Sequence, residues 1–238
     1  MSYLSYFLLF ITILLSGISL FLFKKVSTRV LKLLLSFSGA FLFSLSVLHL
    51  IPEVYQSGGN NIGVFVLIGF FIQILLEIFS EGIEHGHIHI HHKQNASFPY
   101  AVMIGLCLHS FLEGMPLVQS FADDHTRNSL LTGIILHHIP VALALMSMLL
   151  DSGIGKKPAV FYLLLFAMMA PLGAFSSHLL SENTLQDLSV FFHRMMAVVI
   201  GIFLHISTTI LFETNEEHRF NYYKLFIILL GAGLAIAI

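Results

Sequence analysis

The feature that most constrains this chain is the recurrence of apolar stretches long enough to cross a bilayer, at about 3 to 23, 30 to 55, 62 to 84, 98 to 119, 129 to 150, 158 to 180, 190 to 212 and 222 to 238. Each approaches or exceeds the ~20 residues that a helix needs to span the hydrocarbon core. Hydrophobic residues make up 57% of the sequence, charged residues only 10%, and the mean hydropathy is +0.90. A soluble domain would have too few polar residues to cover its surface. Inside lipid each backbone amide must be satisfied by the protein itself, and stretches of this length suit helices. The expected fold class is therefore all-α: a polytopic membrane protein with eight transmembrane helices in a single bundle, residues 1–238 forming one domain. The first stretch lacks a basic n-region and has Lys24 and Lys25 on its far side, so it reads as a spanning helix rather than a cleavable signal.

The basic residues set an expected orientation. With the amino terminus outside, the cytoplasmic segments hold Lys24, Lys25, Arg29, Lys32, Lys93, Lys156, Lys157, Arg219 and Lys224, and the outer segments hold only Arg127 and Arg194. That bias follows the positive-inside rule and places both termini on the extracytoplasmic side of a bacterial inner membrane or cell membrane. The net charge of −2 points to no nucleic-acid partner, and Cys107 alone excludes an intramolecular disulfide.

Two runs inside the oily stretches bear chemistry. One is His109-Ser110-Phe111-Leu112-Glu113-Gly114 in the fourth; the other is His137-His138-Ile139-Pro140 in the fifth. At ~1.5 Å per residue, and with the fourth helix running outward and the fifth inward, His109, Glu113 and His137 come to matching depth, roughly 9 to 15 Å below the outer boundary. His109 and Glu113, at i and i+4, share one helix face, and Gly114 permits close approach of a neighbour. Pro140 cannot donate to the carbonyl of Leu136 and crowds that turn, so a kink beside His137 is expected. A buried carboxylate is costly unless paired. One carboxylate with two or three imidazoles is the ligand set that Zn²⁺ favours, with Fe²⁺, Co²⁺ or Mn²⁺ also compatible and copper(I) disfavoured by the near absence of thiols. Lone membrane histidines such as His178, His193 and His205 have a plainer reading, as hydrogen-bond partners between helices.

A second histidine concentration, His85-Gly86-His87-Ile88-His89-Ile90-His91-His92, lies between the third and fourth stretches after Glu81 and Glu84. Orientation makes residues 85–97 a cytoplasmic loop, and several neutral imidazoles there would bind transition metals weakly. His49 and Glu53 form another i, i+4 pair nearer the outer surface. Gln73, Glu77, Glu81 and Glu84 lead toward the cytoplasm. Asp123, Asp124 and His125 at the outer mouth, and Glu213, Glu216, Glu217 and His218 at the inner one, read as cation-concentrating groups or as solvated helix ends.

With these residues in view, the chain resembles the ZIP (Zrt/Irt-like) family of divalent metal transporters. The resemblance rests on the eight helices, the outward termini, the histidine-rich third loop, Gly39-Ala-Phe-Leu leading to His49-Leu-Ile-Pro-Glu53, Gly201-Ile-Phe-Leu with Glu213, and above all the motif ending in Glu113-Gly114. It implies that His109, Ser110 and Glu113 of the fourth helix, with His137 and His138 of the fifth, form the transport site. It also implies inverted repeats of three helices each, and alternating access between helices one, four, five and six and a more static remainder. Two departures stand out: Val141 occupies the place of a further fifth-helix ligand, and Ala170-Pro171 replaces an acid before proline in the sixth. A single ion held by His109, Glu113 and His137 is expected, with Ser110 and His138 forming a poorer neighbouring site.

The resulting expectation is transport of a divalent ion into the cytoplasm, zinc first and iron or manganese next, as cargo rather than cofactor. No catalytic residue is expected. His49, Glu53, His85, His87, His89, His91 and His92 are accessory metal-binding candidates. The expected partners are the metal ion and the lipid bilayer, with a homodimer left open. The alternatives are an intramembrane zinc-dependent hydrolase, which would need an unliganded acid or base near the metal-bound water, and a metal sensor.

Overall fold

The computed structural model describes residues 3–23, 26–57, 61–80, 100–118, 124–183, 189–212 and 222–238. The first helix, α1 (Tyr3–Ile18), is continued by a short turn at Leu20–Phe23. Next come α2 (Thr28–Leu45), α3 (Ile62–Ser80), α4 (Tyr100–Gly114), α5 (Asp124–Asp151), α6 (Lys156–Asn183), α7 (Ser189–Phe212) and α8 (Tyr222–Ala237). Among the described residues, seven helical spans are long and apolar enough to cross a membrane, and α8 is a shorter apolar helix of 16 residues. The all-α, polytopic membrane class expected from the sequence is what the structure shows, and an integral membrane location follows.

Local chemistry explains the helix boundaries and two irregularities. Ser27 caps α2, its hydroxyl accepting from the Val30 amide at 3.3 Å. Toward its far end α2 opens into a π-turn, Ser46–Leu50, before resuming as Ile51–Ser57. Pro52 lies just beyond and has no amide to give the carbonyl four residues back, so a wider turn relieves both the missing donor and the ring clash. Pro140 lies within α5 and Pro171 within α6, and both helices remain helical through them. Helix α4 gives way at Gly114 to a 3₁₀ turn, Met115–Val118, which contains Pro116. Between α5 and α6, Gly153 takes a φ of +79°, a left-handed turn residue that a side chain would strain.

Packing divides the helices into two groups. Helix α4 packs on α6, and α1 on α5 and α6; separately, α3 packs on α7, and α2 on α7 and α8. The groups meet where α2 touches α5 and α3 touches α4. One buried apolar cluster includes Ile13, Leu106, Leu145, Leu163 and Phe166; another includes Phe41, Leu42, Leu45, Ile200 and Phe203. Phe71 and Ile78 of α3 and Leu229 of α8 are exposed, as lipid-facing side chains should be.

Glycines set the closest crossings. A Cβ on Gly114 would collide with the Ala170 carbonyl of α6, and one on Gly173 with the Phe111 carbonyl of α4. The same reciprocity joins α3 and α7, where Gly69 faces Val198 and Gly201 faces Val66 and Phe70. In lipid, where apolar burial contributes little between helices, small residues that bring backbones together are the main adhesive.

Candidate metal centre

The α4–α6 crossing holds the turn of α4 that contains His109, Ser110, Glu113 and Gly114 deep in the bundle. His109 and His137 are each 1% exposed and Glu113 is 0% exposed, so all three donors are sealed from both lipid and water. His109 Nε2 lies 3.1 Å from Glu113 Oε1, and ligand atoms from His109, Glu113 and His137 all fall within 4.8 Å of one another. In a tetrahedral zinc site with ligand bonds near 2.0 to 2.1 Å, neighbouring ligand atoms stand roughly 3.3 Å apart. The His109–Glu113 pair already has that spacing, and His137 needs only a small approach. Among the described residues, no other three histidine, cysteine or carboxylate donors converge in this way.

His138 is tied into the same cluster differently. Its Nδ1 lies 2.9 Å from the Ile134 carbonyl, which can only accept, so the ring proton sits on Nδ1. Nε2 is then directed at Ser110 Oγ, 3.0 Å away, and at Glu113 Oε2, 3.5 Å away. The ring stacks with His109, at 6.3 Å and 16°, and with Phe166 of α6, at 5.5 Å and 25°. His137 meets both His109 and His138 edge-on, each at 5.9 Å. Ser110 and His138 are thus joined to each other by a hydrogen bond beside the three converging donors.

The two positions where a richer site would have further ligands are apolar and buried: Val141 is 1% exposed and Ala170 is 0% exposed. Ala170 contributes only its backbone, against Gly114.

Other candidates fall elsewhere. His49 sits in the π-turn of α2 with Nε2 3.3 Å from the Ala235 carbonyl of α8, and its ring is 6.3 Å from that of the exposed His125. Glu53 follows on the resumed helix, and neither His49 nor Glu53 joins a group of three converging donors among the described residues. His193 bonds the Ser189 carbonyl of its own helix through Nδ1 at 2.6 Å, a structural role. His85, His87, His89, His91 and His92, like the rest of residues 85–97, Glu81, Glu84, Asp123, Glu213, Glu216, Glu217 and His218, lie outside the described residues.

Sequence reasoning did not attach one partner to the centre, nor did it pair Glu77 with His205. Gln73 of α3, 0% exposed, brings its Oε1 to 3.1 Å from His109 Nδ1. One turn further along α3, Glu77 Oε2 pairs with His205 Nε2 of α7 at 2.6 Å, and Phe70 lies edge-on to that ring. The available signal was that Gln73 and Glu77 interrupt a helix otherwise built of apolar and small residues.

Comparison with known proteins bears on the whole arrangement. Residues 92–238 match the family described as ZIP Zinc transporter. The chain is 28% identical over 152 residues to Zinc transporter ZIP9-B of Xenopus laevis, covering 62% of this chain and 50% of that protein. It is 27% identical over 158 residues to Zinc transporter ZIP9 of Micropogonias undulatus, covering 62% and 49%, and 28% identical over 130 residues to Zinc transporter ZIP10 of Danio rerio, covering 52% and 15%. The chain spans about half the length of the ZIP9 relatives it matches.

Proposed function

The chain belongs to the ZIP zinc transporter family, and from that premise we propose that it moves a divalent transition-metal ion across the membrane into the cytoplasm through the buried His/Glu centre. The observation that carries this reading is the convergence of His109, Glu113 and His137 inside membrane-spanning helices. A buried carboxylate facing imidazoles has little structural justification in lipid, where each ionisable group is costly; as a cation site the same arrangement is self-explanatory.

In this reading a hydrated ion exchanges waters for His109 Nε2, a Glu113 oxygen and His137, and keeps one water. His138 and Ser110 border the site, hydrogen-bonded to each other beside the second carboxylate oxygen. Zinc is the first choice, because imidazole and carboxylate suit it and the similar proteins are named zinc transporters; iron and manganese fit the same donors. Access alternates as the group of α1, α4, α5 and α6 moves against that of α2, α3, α7 and α8. Cytoplasmic release leads toward the histidine-rich segment 85–97, which receives or senses the ion. The hydrolase alternative loses ground twice, since the family is one of transporters and Glu113 is the one acid among the buried described residues. No second carboxylate is left there to serve as a base.

Purified protein in liposomes loaded with a zinc-sensitive dye tests the proposal. Influx into wild-type vesicles that His109→Ala and Glu113→Ala abolish is the expected result. Influx untouched by both substitutions refutes the site.

A further inference from the structure

We infer that Gln73 is a positioning residue for the metal centre, supplied by the opposite helix group, and that it holds His109 ready to bind and to release the ion. The inference rests on the proposed metal site. Three observations support it. Gln73 is fully buried, in the middle of an apolar helix, with its amide oxygen 3.1 Å from His109 Nδ1. The other ring nitrogen of His109 faces Glu113 at 3.1 Å. And Gly105, one turn before His109, lets α4 come so near α3 that a Cβ there would lie 3.2 Å from the Leu76 carbonyl oxygen and the Ser80 nitrogen. That close approach is what puts a glutamine side chain within reach of the ring.

The chemistry follows from what an amide can do. With its oxygen toward the ring, Gln73 accepts a hydrogen bond from Nδ1–H, and the Nε2 lone pair is left for the metal. Turned over, the same amide donates to Nδ1, and His109 can then carry its proton on Nε2 and donate a hydrogen bond to Glu113. One side chain thus satisfies the ring both with and without the ion. A carboxylate at this position could only accept, favouring the ligand tautomer and strengthening the metal bond, as acidic partners of metal-bound histidines do. An aliphatic residue would satisfy neither form. Glutamine suits a site that must let go. Because α3 packs with α7 and α4 packs with α6, the bond also bridges the two helix groups, so sliding one against the other removes this support and weakens the site.

The test uses full-length protein and Co²⁺, whose visible absorption reports its ligands, reading the part of the signal that Glu113→Ala abolishes. Gln73→Leu is expected to lower Co²⁺ affinity by about 10- to 100-fold, the usual effect of losing an outer partner. Gln73→Glu is expected to bind at least as tightly as wild type while transporting more slowly in liposomes. Wild-type affinity in Gln73→Leu, or equal weakening in both variants, overturns the inference, the second pattern marking a simple packing role. Absence of any Glu113-dependent Co²⁺ signal in the wild type overturns the metal site itself and this inference with it. Nitrogen chemical shifts of His109 in the metal-free protein supply an independent readout: its tautomer balance shifts in Gln73→Leu, and an unchanged balance counts against the assignment.

Discussion

His109 and Glu113, one turn apart on α4, meet at 3.1 Å with almost no exposure. Two electron-rich atoms at that distance require a positive centre between them, either a proton carried by one of the two groups or a metal ion. The pair is therefore a site where proton and metal compete for one place, as histidine ligation generally demands.

Replacing Glu113 by Gln keeps the shape and removes the charge. Loss of an outer partner already costs about 10- to 100-fold in metal affinity, so loss of this direct donor is expected to cost more than about 100-fold. Isothermal titration with Zn²⁺, using a variant whose loop histidines are replaced, measures it. Retained affinity would remove Glu113 from the ligand set.

The crossing of α4 and α6 makes a steric prediction. Gly114→Ala drives a methyl into the Ala170 carbonyl, whereas a Cβ on Gly233 of α8 meets nothing within 4 Å. Overpacking of this kind costs about 1–3 kcal/mol. Gly114→Ala should lower both the melting temperature in detergent and the zinc flux, and Gly233→Ala should alter neither. Equal behaviour of the two variants would contradict the crossing.

Ion stoichiometry separates this centre from a richer one. Val141 is i+4 from His137 and buried, so it faces the same side of α5 without offering a donor. Metal analysis after equilibrium dialysis, with the loop histidines replaced, should find one tightly held zinc per chain, and Val141→Asp should raise the count to two. Two tight ions in the unaltered membrane site would show that Ser110 and His138 ligate more strongly than proposed.

The Glu77–His205 pair joins α3 to α7 at 2.6 Å. Polar contacts between membrane helices average about 0.6 kcal/mol and reach about 1.7 kcal/mol, because the unfolded chain in a membrane also finds partners. A double-mutant cycle with Glu77→Gln and His205→Phe, followed by reversible unfolding in mixed micelles, should return a coupling in that range. A value indistinguishable from zero would mean the contact adds nothing to the α3–α7 interface.

Much of this protein was legible before any coordinates. Apolar length specifies the helices, because in lipid a backbone has few ways to satisfy its amides. The spacing of His109 and Glu113 is local, dictated by 3.6 residues per turn, and helix direction brings His137 to the same depth. Helix α5 runs on through Pro140, and α2 accommodates Pro52 by the π-turn before it. There the sequence supplied the cause without revealing which of several accommodations the backbone would take.

What periodicity could not supply is every relation between side chains on different helices. Gln73 stands 36 positions from His109 and Glu77 stands 128 from His205, and no local pattern connects them. Their meetings depend on how closely helix axes approach, which Gly105 sets for α3 with α4 and the Gly69–Gly201 crossing sets for α3 with α7. The roles of the two adjacent histidines were divided in the same way: His137 converges with His109 and Glu113, while His138 is held by Ile134, Ser110 and Phe166. Hydrophobic length and helical pitch are properties of a single segment and can be read along the chain. Convergence of donors is a property of packed surfaces, and it exists only once the small residues have let those surfaces touch.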